Sequence, residues 1–323
     1  MMQMAWPWVA IVVFSVAHGA GQAPVPPPKA DALQVQVMLD RAGFSPGAVD
    51  GRMGMNTKKA LALFHTSGNP SQPADATTRY RITAEDATGP FQPVPSDIMQ
   101  QATLSALGYA SLLEALAERF HAAPALLRRL NPGVTFKEGD ELVVPNVDAM
   151  VMPAAGPAAG PKSATKKPAE PEAVQTANAK QAPAAKPDVT VTVSKRDSAV
   201  TVTDASGAVL FYAPVTTGSE NDPLPLGEWK VNGVQFNPSF HYNPDLFWNA
   251  DPATTKATIP SGPNNPVGLV WIDISKEHYG LHGTPEPSTI GRTESHGCVR
   301  LTNWDALKLA GLVKPGTRVV FAE

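Results

Sequence analysis

Cys298 is the one cysteine in a chain of 323 residues, and it stands in Ser295-His296-Gly297-Cys298-Val299-Arg300. Sixteen residues upstream is His282, within Tyr279-Gly280-Leu281-His282-Gly283-Thr284. A free thiol, with a pKa of about 8.5, is only a few per cent thiolate near neutral pH and needs a base to act as a nucleophile. A histidine carried back by a loop supplies that base. Gly297 lets backbone N–H groups approach a developing oxyanion closely. The pattern points to a cysteine-nucleophile acyl transferase or hydrolase. The competing reading is an inert buried cysteine.

The elements that must position these groups lie in a chain of several domains. Formal net charge is −3, which gives no global attraction to nucleic acid. Trp6 to Ala17 is almost wholly apolar and is followed by the small residues Gly19, Ala20, Gly21 and Ala23. Residues 1–23 therefore read as an export signal, with an uncleaved anchor as the alternative. In an oxidising compartment, a single cysteine without a disulfide partner is a liability unless it has a task. Residues 148–187, built mainly from Ala, Pro, Lys and Gln without aromatics, read as a disordered linker.

Beyond that linker, Val189, Val191 and Val193 alternate with polar residues, as do Val200 and Val202. Asp204-Ala205-Ser206-Gly207 is a hairpin turn before a strand from Val209 to Pro214. Further strands are expected at Glu228 to Val231, Val267 to Ile274 and Arg318 to Phe321, with one helix from Trp304 to Ala310 capped by Asn303. Residues 188–323 are thus a mostly-β domain. Before the linker, helices are expected at Leu33 to Ala42, Thr57 to Phe64 and Ser111 to Phe120.

Three resemblances follow. Gln36, Leu39, Gly43-Phe44, Val49-Asp50-Gly51, Gly54, Thr57, Ala60 and Phe64 make residues 31–68 resemble the small helical peptidoglycan-binding domain. Leu130-Asn131-Pro132, then Gly139-Asp140 and the strand ending in Pro145, make residues 105–147 resemble a βααβ LysM module, a glycan binder, lacking its opening strand. Residues 188–323 resemble the L,D-transpeptidase catalytic domain of the YkuD type, a β-sandwich-like fold. The match runs through Thr217-Gly218, Pro223 to Trp229, Pro263 to Gly268, Leu281-His282-Gly283-Thr284 and Ser295 to Leu301.

That last resemblance implies that Cys298 attacks a peptide carbonyl in a peptidoglycan stem, expels a D-residue and forms a thioester. A side-chain amine of a second stem then resolves it into a 3→3 cross-link. Water, a free D-amino acid or a lipoprotein lysine replaces that amine in some relatives, and carbapenems acylate the thiol. His282 is implied as base, with the Gly283 carbonyl holding its tautomer and the N–H groups of Gly297 and Cys298 as the oxyanion site. His296 either lines the groove or braces the loop. Arg300, Ser295 and Thr284 are implied near substrate: Arg300 pairs with a substrate carboxylate or with an internal acid, and the Ser295 hydroxyl braces the loop.

No cofactor or metal is expected. His278 and His282 are four apart, but the segment reads as strand rather than as a ligand-bearing helix. Phe240, His241, Tyr242, Phe247 and Trp248 form either a substrate-covering flap or ordinary packing. The expected partners are peptidoglycan stem peptides and glycan, with the membrane met only through the export signal, in a cell-wall-associated, periplasmic setting. The alternatives are an L,D-carboxypeptidase and a non-catalytic wall-binding protein.

Overall fold

Apolar residues at helical spacing build the first two elements, α1 (Ala32–Arg41) and α2 (Met55–Thr66), of a computed structural model that describes residues 31–68, 75–153 and 186–323. The expected export signal and most of the expected linker lie outside the described residues. Gln36 is 1% exposed and pins the turns between the helices. Its Nε2 donates to Asp50 Oδ1 at 2.9 Å and to Thr57 Oγ1 at 3.1 Å, while Oε1 accepts from Gly51 N–H at 2.8 Å. Among the described residues no helix is long and apolar enough to cross a membrane.

Next come β1 (Thr77–Arg81), the short α3 (Ile98–Gln101), α4 (Leu112–Arg119), α5 (Pro124–Leu130) and β2 (Glu141–Pro145). Strand β1 pairs antiparallel with β2, from Thr77 opposite Pro145 to Arg81 opposite Glu141. The opening strand that residues 105–147 lack is therefore supplied from upstream, with residues 82–111 inserted after it. Thr77-Thr78-Arg79-Tyr80-Arg81 has no aliphatic side chain to announce a strand. Its inward contact is Tyr80, edge-on to Phe120 at 4.9 Å.

The remaining strands are β3 (Val189–Ser194), β4 (Ala199–Asp204), β5 (Val209–Pro214), β6 (Gly227–Phe236), β7 (Phe240–Tyr242), β8 (Ala257–Ile259), β9 (Val270–Ile274), β10 (Gly280–His282), β11 (Val299–Arg300) and β12 (Arg318–Ala322). Eight of them form one sheet in the order β11-β10-β9-β6-β12-β3-β4-β5, while β7 and β8 form a separate hairpin. Strand pairs β3/β12 and β10/β11 are parallel and the others antiparallel. Past β5 the chain turns onto β11. Thr216 N–H donates to Arg300 O at 3.0 Å, and Arg300 N–H returns to Thr216 O at 2.9 Å. The sandwich-like layering is thus one curled sheet whose two ends meet beside the cysteine.

Helix α6 (Asn303–Leu312) plugs the curl, with Trp304 1% exposed. Its N-cap is Thr302, not Asn303: Thr302 is extended and its Oγ1 accepts from Asp305 N–H at 3.2 Å. The Asn303 side chain is turned inward instead.

The described residues make one compact unit, so the N-terminal elements are docked on the sheet. Ser45 Oγ donates to Asp305 Oδ2 at 2.9 Å and Lys308 Nζ to Asp40 Oδ1 at 2.9 Å. Leu107 N–H donates to Ser261 O at 2.9 Å. The start of the expected linker joins this body too, because Met150 is buried and its N–H donates to Arg119 O at 2.7 Å.

Candidate active site

Strands β10 and β11 run side by side, with Leu281 opposite Val299 and His282 opposite Arg300. This register brings the two sequence motifs to one end of the sheet. Cys298, His282, Arg300, His296 and His278 all line one cavity of about 290 Å³. Its apolar wall comes from Phe240, Tyr242, Leu246 and Phe247 of the β7–β8 hairpin and from Ile98 of α3.

His282 is 4% exposed, and its ring stacks on Trp271 with centroids 5.5 Å apart. Its Nδ1 lies 2.7 Å from the carbonyl oxygen of Gly283. A carbonyl only accepts, so Nδ1 carries the proton and Nε2 keeps its lone pair for base work. Burial pushes the imidazole pKa down to about 3, and the nearby Arg300 charge pushes the same way against the Gly283 bond. Cys298 is half-buried, and burial pushes its thiol up, partly offset by the Gly280 backbone and the Arg300 charge. Both shifts favour the neutral forms, a thiol and an imidazole that line the same cavity. The thiol donates to the His278 carbonyl oxygen at 3.7 Å, and it makes no hydrogen bond with His282 among the described residues. Such contacts commonly tighten only when substrate arrives.

Gly297 has φ +99°, and a Cβ there would come within 2.7 Å of the Tyr279 ring, so the turn requires glycine. Among the described residues the N–H groups of Gly297 and Cys298 donate to no acceptor, leaving both free for an oxyanion. Ser295 Oγ donates to the Cys298 carbonyl at 2.6 Å, bracing this loop. Thr284 is buried, and its hydroxyl accepts from Glu286 N–H at 3.2 Å. Neither Ser295 nor Thr284 is among the residues that line this cavity.

His296 Nε2 donates to Asn249 Oδ1 at 2.8 Å, and its ring stands edge-on to Phe247 at 5.1 Å. It joins the hairpin to the cysteine loop while still facing the cavity. Arg300 has no carboxylate within ion-pairing distance among the described residues, so its guanidinium is available to a ligand. Burial lowers its pKa somewhat.

Sequence reasoning missed Ile98, which lies some two hundred residues before Cys298 and carries no motif. It also missed the His278 carbonyl, a backbone group with no side-chain signature; His278 itself sits at φ +65°. No group of three or more metal-ligating side chains occurs among the described residues.

Comparison with known proteins gives a consistent family. Residues 188–321 match the model of the YkuD L,D-transpeptidase catalytic domain. A Bacillus subtilis protein, YqjB, whose name assigns it to the L,D-transpeptidases, is 30% identical over 142 residues, covering 42% of this chain and 72% of that relative. YkuD of Bacillus licheniformis, assigned by name to the same group, is 53% identical over 57 residues, covering 18% of this chain and 34% of that relative. The chain thus matches only about a third of the length of that relative. A solved L,D-transpeptidase from Mycobacterium smegmatis is 19% identical with a TM-score of 0.35, covering 42% of this chain and 59% of that one.

Proposed function

From the premise that this chain belongs to the L,D-transpeptidase family, we propose that it is an exported peptidoglycan L,D-transpeptidase with Cys298 as nucleophile and His282 as base. One observation carries the reading: the Gly283 carbonyl fixes His282 with its free Nε2 in the cavity that also holds Cys298.

His282 Nε2 takes the thiol proton as Cys298 Sγ bonds to the stem-peptide carbonyl carbon. The oxyanion is received by the N–H groups of Gly297 and Cys298, and losing one such donor costs on the order of 2.7–4 kcal/mol in the barrier. When the C–N bond breaks, the imidazolium gives its proton to the leaving amine of the D-residue, and a thioester remains. An acceptor amine then attacks the thioester carbonyl, its proton passes to His282, and the sulfur leaves and is reprotonated. Arg300 is suited to a substrate carboxylate, because its guanidinium makes no direct ion pair and feels the Glu286 carboxylate only at longer range. The hairpin wall of Phe240, Tyr242 and Phe247 limits water at the thioester, which favours an amine acceptor over hydrolysis.

The N-terminal elements support wall retention. In residues 75–147, a cavity of about 490 Å³ is lined by Ser111, Leu113, Arg128, Asn131 and Phe136, a mixture of polar and apolar groups suited to glycan. Peptidoglycan as substrate places the protein at the wall, in the periplasm. The acceptor is a second stem; a lipoprotein lysine is a further candidate of the same amine class.

The test is mass spectrometry of muropeptides after incubation with the purified protein. Dimers of 3→3 type are expected, and none with Cys298→Ala. Loss of the terminal D-residue without dimers would make the protein an L,D-carboxypeptidase. Unchanged muropeptides retained on the protein would make it a wall-binding protein alone.

A further inference from the structure

Asn303 opens α6 three residues after Arg300, and its side-chain amide is buried at the centre of a relay. Nδ2 donates to Glu118 Oε1 at 2.7 Å and to the Pro263 carbonyl at 3.2 Å. Oδ1 accepts from Leu269 N–H at 3.0 Å. That same oxygen fills the space a side chain at Gly283 would take, since an added Cβ would come within 2.1 Å of it. Gly283 N–H donates to Val270 O at 3.2 Å, so its peptide is held between β9 and the Asn303 amide. The carbonyl of the same residue, in the peptide that follows, is the one that receives the His282 Nδ1–H.

The far end of the relay lies outside the catalytic domain. Glu118 belongs to α4, 185 residues before Asn303, and is 7% exposed. Burial pushes its carboxyl up to about 7, against the bonds from Tyr109 and Asn303. Burying a carboxyl costs stability that an apolar residue at this helix–helix contact would not. Neither wall binding nor the chemical steps above use this group. A carboxyl oxygen facing Nδ2 selects one of the two flips of the Asn303 amide, the one that turns Oδ1 toward Leu269 and Gly283. An apolar residue would leave that choice to the Pro263 carbonyl and the Leu269 N–H alone, without the shortest of the three bonds.

We propose that Glu118 is a positioning residue for the general base: through Asn303 it confines the backbone of Gly283, and through the Gly283 carbonyl the ring of His282. The N-terminal module then serves the acyl-transfer site directly, in addition to any hold on the wall. The inference rests on the reading of His282 as base.

The test compares the full chain with Glu118→Ala, Glu118→Asp and Glu118→Gln variants. Two quantities are read: the rate of Cys298 acylation by a carbapenem, and the His282 Nδ1–H resonance in protein labelled with ¹⁵N-histidine. The alanine variant is expected to acylate about 10- to 100-fold more slowly, the scale of loss for a sub-ångström to ångström misplacement of a catalytic group. Its Nδ1–H resonance should broaden or vanish. Glutamine retains an acceptor oxygen and should rescue both quantities. A folded alanine variant with the wild-type rate and resonance would overturn the proposal. Should alanine prevent folding, aspartate, one methylene too short to reach Asn303, is compared with glutamine, and equal rates and resonances in those two would overturn it. A wild-type protein that is not acylated at all would instead refute the nucleophile reading. The resonance needs no carbapenem, so the two failures are distinguishable.

Discussion

His282 Nδ1 donates to the carbonyl oxygen of its own neighbour, Gly283, across 2.7 Å. A backbone atom, not a carboxylate, therefore sets the tautomer of the base. Among the described residues no carboxylate hydrogen-bonds or ion-pairs with the ring to stabilise an imidazolium, and burial pushes its pKa down to about 3. On the proposed mechanism, Cys298 is then activated during attack rather than stored as a thiolate–imidazolium pair.

This gives a distinctive alkylation profile. Because burial raises the Cys298 thiol, its reaction with iodoacetamide should be slow at pH 7 and should climb only above the ordinary thiol range. The measurement is the alkylation rate from pH 5 to 10. A plateau of fast reaction below pH 7 would indicate a preformed ion pair.

Arg300 lowers the thiol and opposes protonation of His282. Arg300→Met should therefore raise the alkylation midpoint. It should also lower kcat/KM for a stem-peptide substrate by about 10- to 100-fold, the scale of a lost charge-assisted bond of about 1.5–3 kcal/mol. An unchanged kcat/KM would remove Arg300 from substrate binding.

The docking of α1 on α6 makes stability depend on both halves. Asp40 is fully buried and pairs with Lys308 at 2.9 Å and with His121 at 2.9 Å. Burial alone would raise its pKa, but the two partners hold it well below the usual carboxylate range. This contribution is therefore present above about pH 4 and lost as acid protonates Asp40. Lys308→Met leaves a buried carboxylate with one partner fewer, and should destabilise the chain by about 3–5 kcal/mol at pH 7. Denaturant unfolding at pH 7 checks this, and a loss under about 1 kcal/mol would contradict it.

Glu118 has the opposite sign. Its folded pKa is raised from 4.5 to about 7, so the native state binds more protons than the unfolded chain across that window, and stability falls as pH rises through it. His282, depressed in the fold, pulls the other way below its ordinary value of 6.5. The clean observable is the difference in melting temperature between Glu118→Gln and wild type. It should shift in favour of the variant from pH 4.5 to 7. A constant difference would mean that Glu118 does not change charge there.

Much of the site was legible because its chemistry is packed into two short segments. Leu281-His282-Gly283 and Ser295 to Arg300 carry the proposed nucleophile, base and turn, whereas the parallel pairing of β10 with β11 that aligns them is made by strands too short to show a pattern of their own. The alternating valines of β3 and β4 were equally plain, since each inward face reads as period two. Strand β1 was not legible, because Thr77 to Arg81 is stabilised by pairing with residues some sixty positions later rather than by its own apolar pattern. Asn303 reads as a helix cap by type, yet Thr302 takes that place and frees Asn303 for the relay. Ile98 and Glu118 reach the site only through docking of one module on another, which residue types and spacing do not encode.

Intact-protein mass spectrometry with a carbapenem, followed by peptide mapping, tests the nucleophile most directly. The expected result is one covalent adduct on Cys298, absent from Cys298→Ala and formed far more slowly by a folded His282→Ala variant. No adduct on the wild-type protein, or an adduct formed at the wild-type rate without His282, would contradict the account.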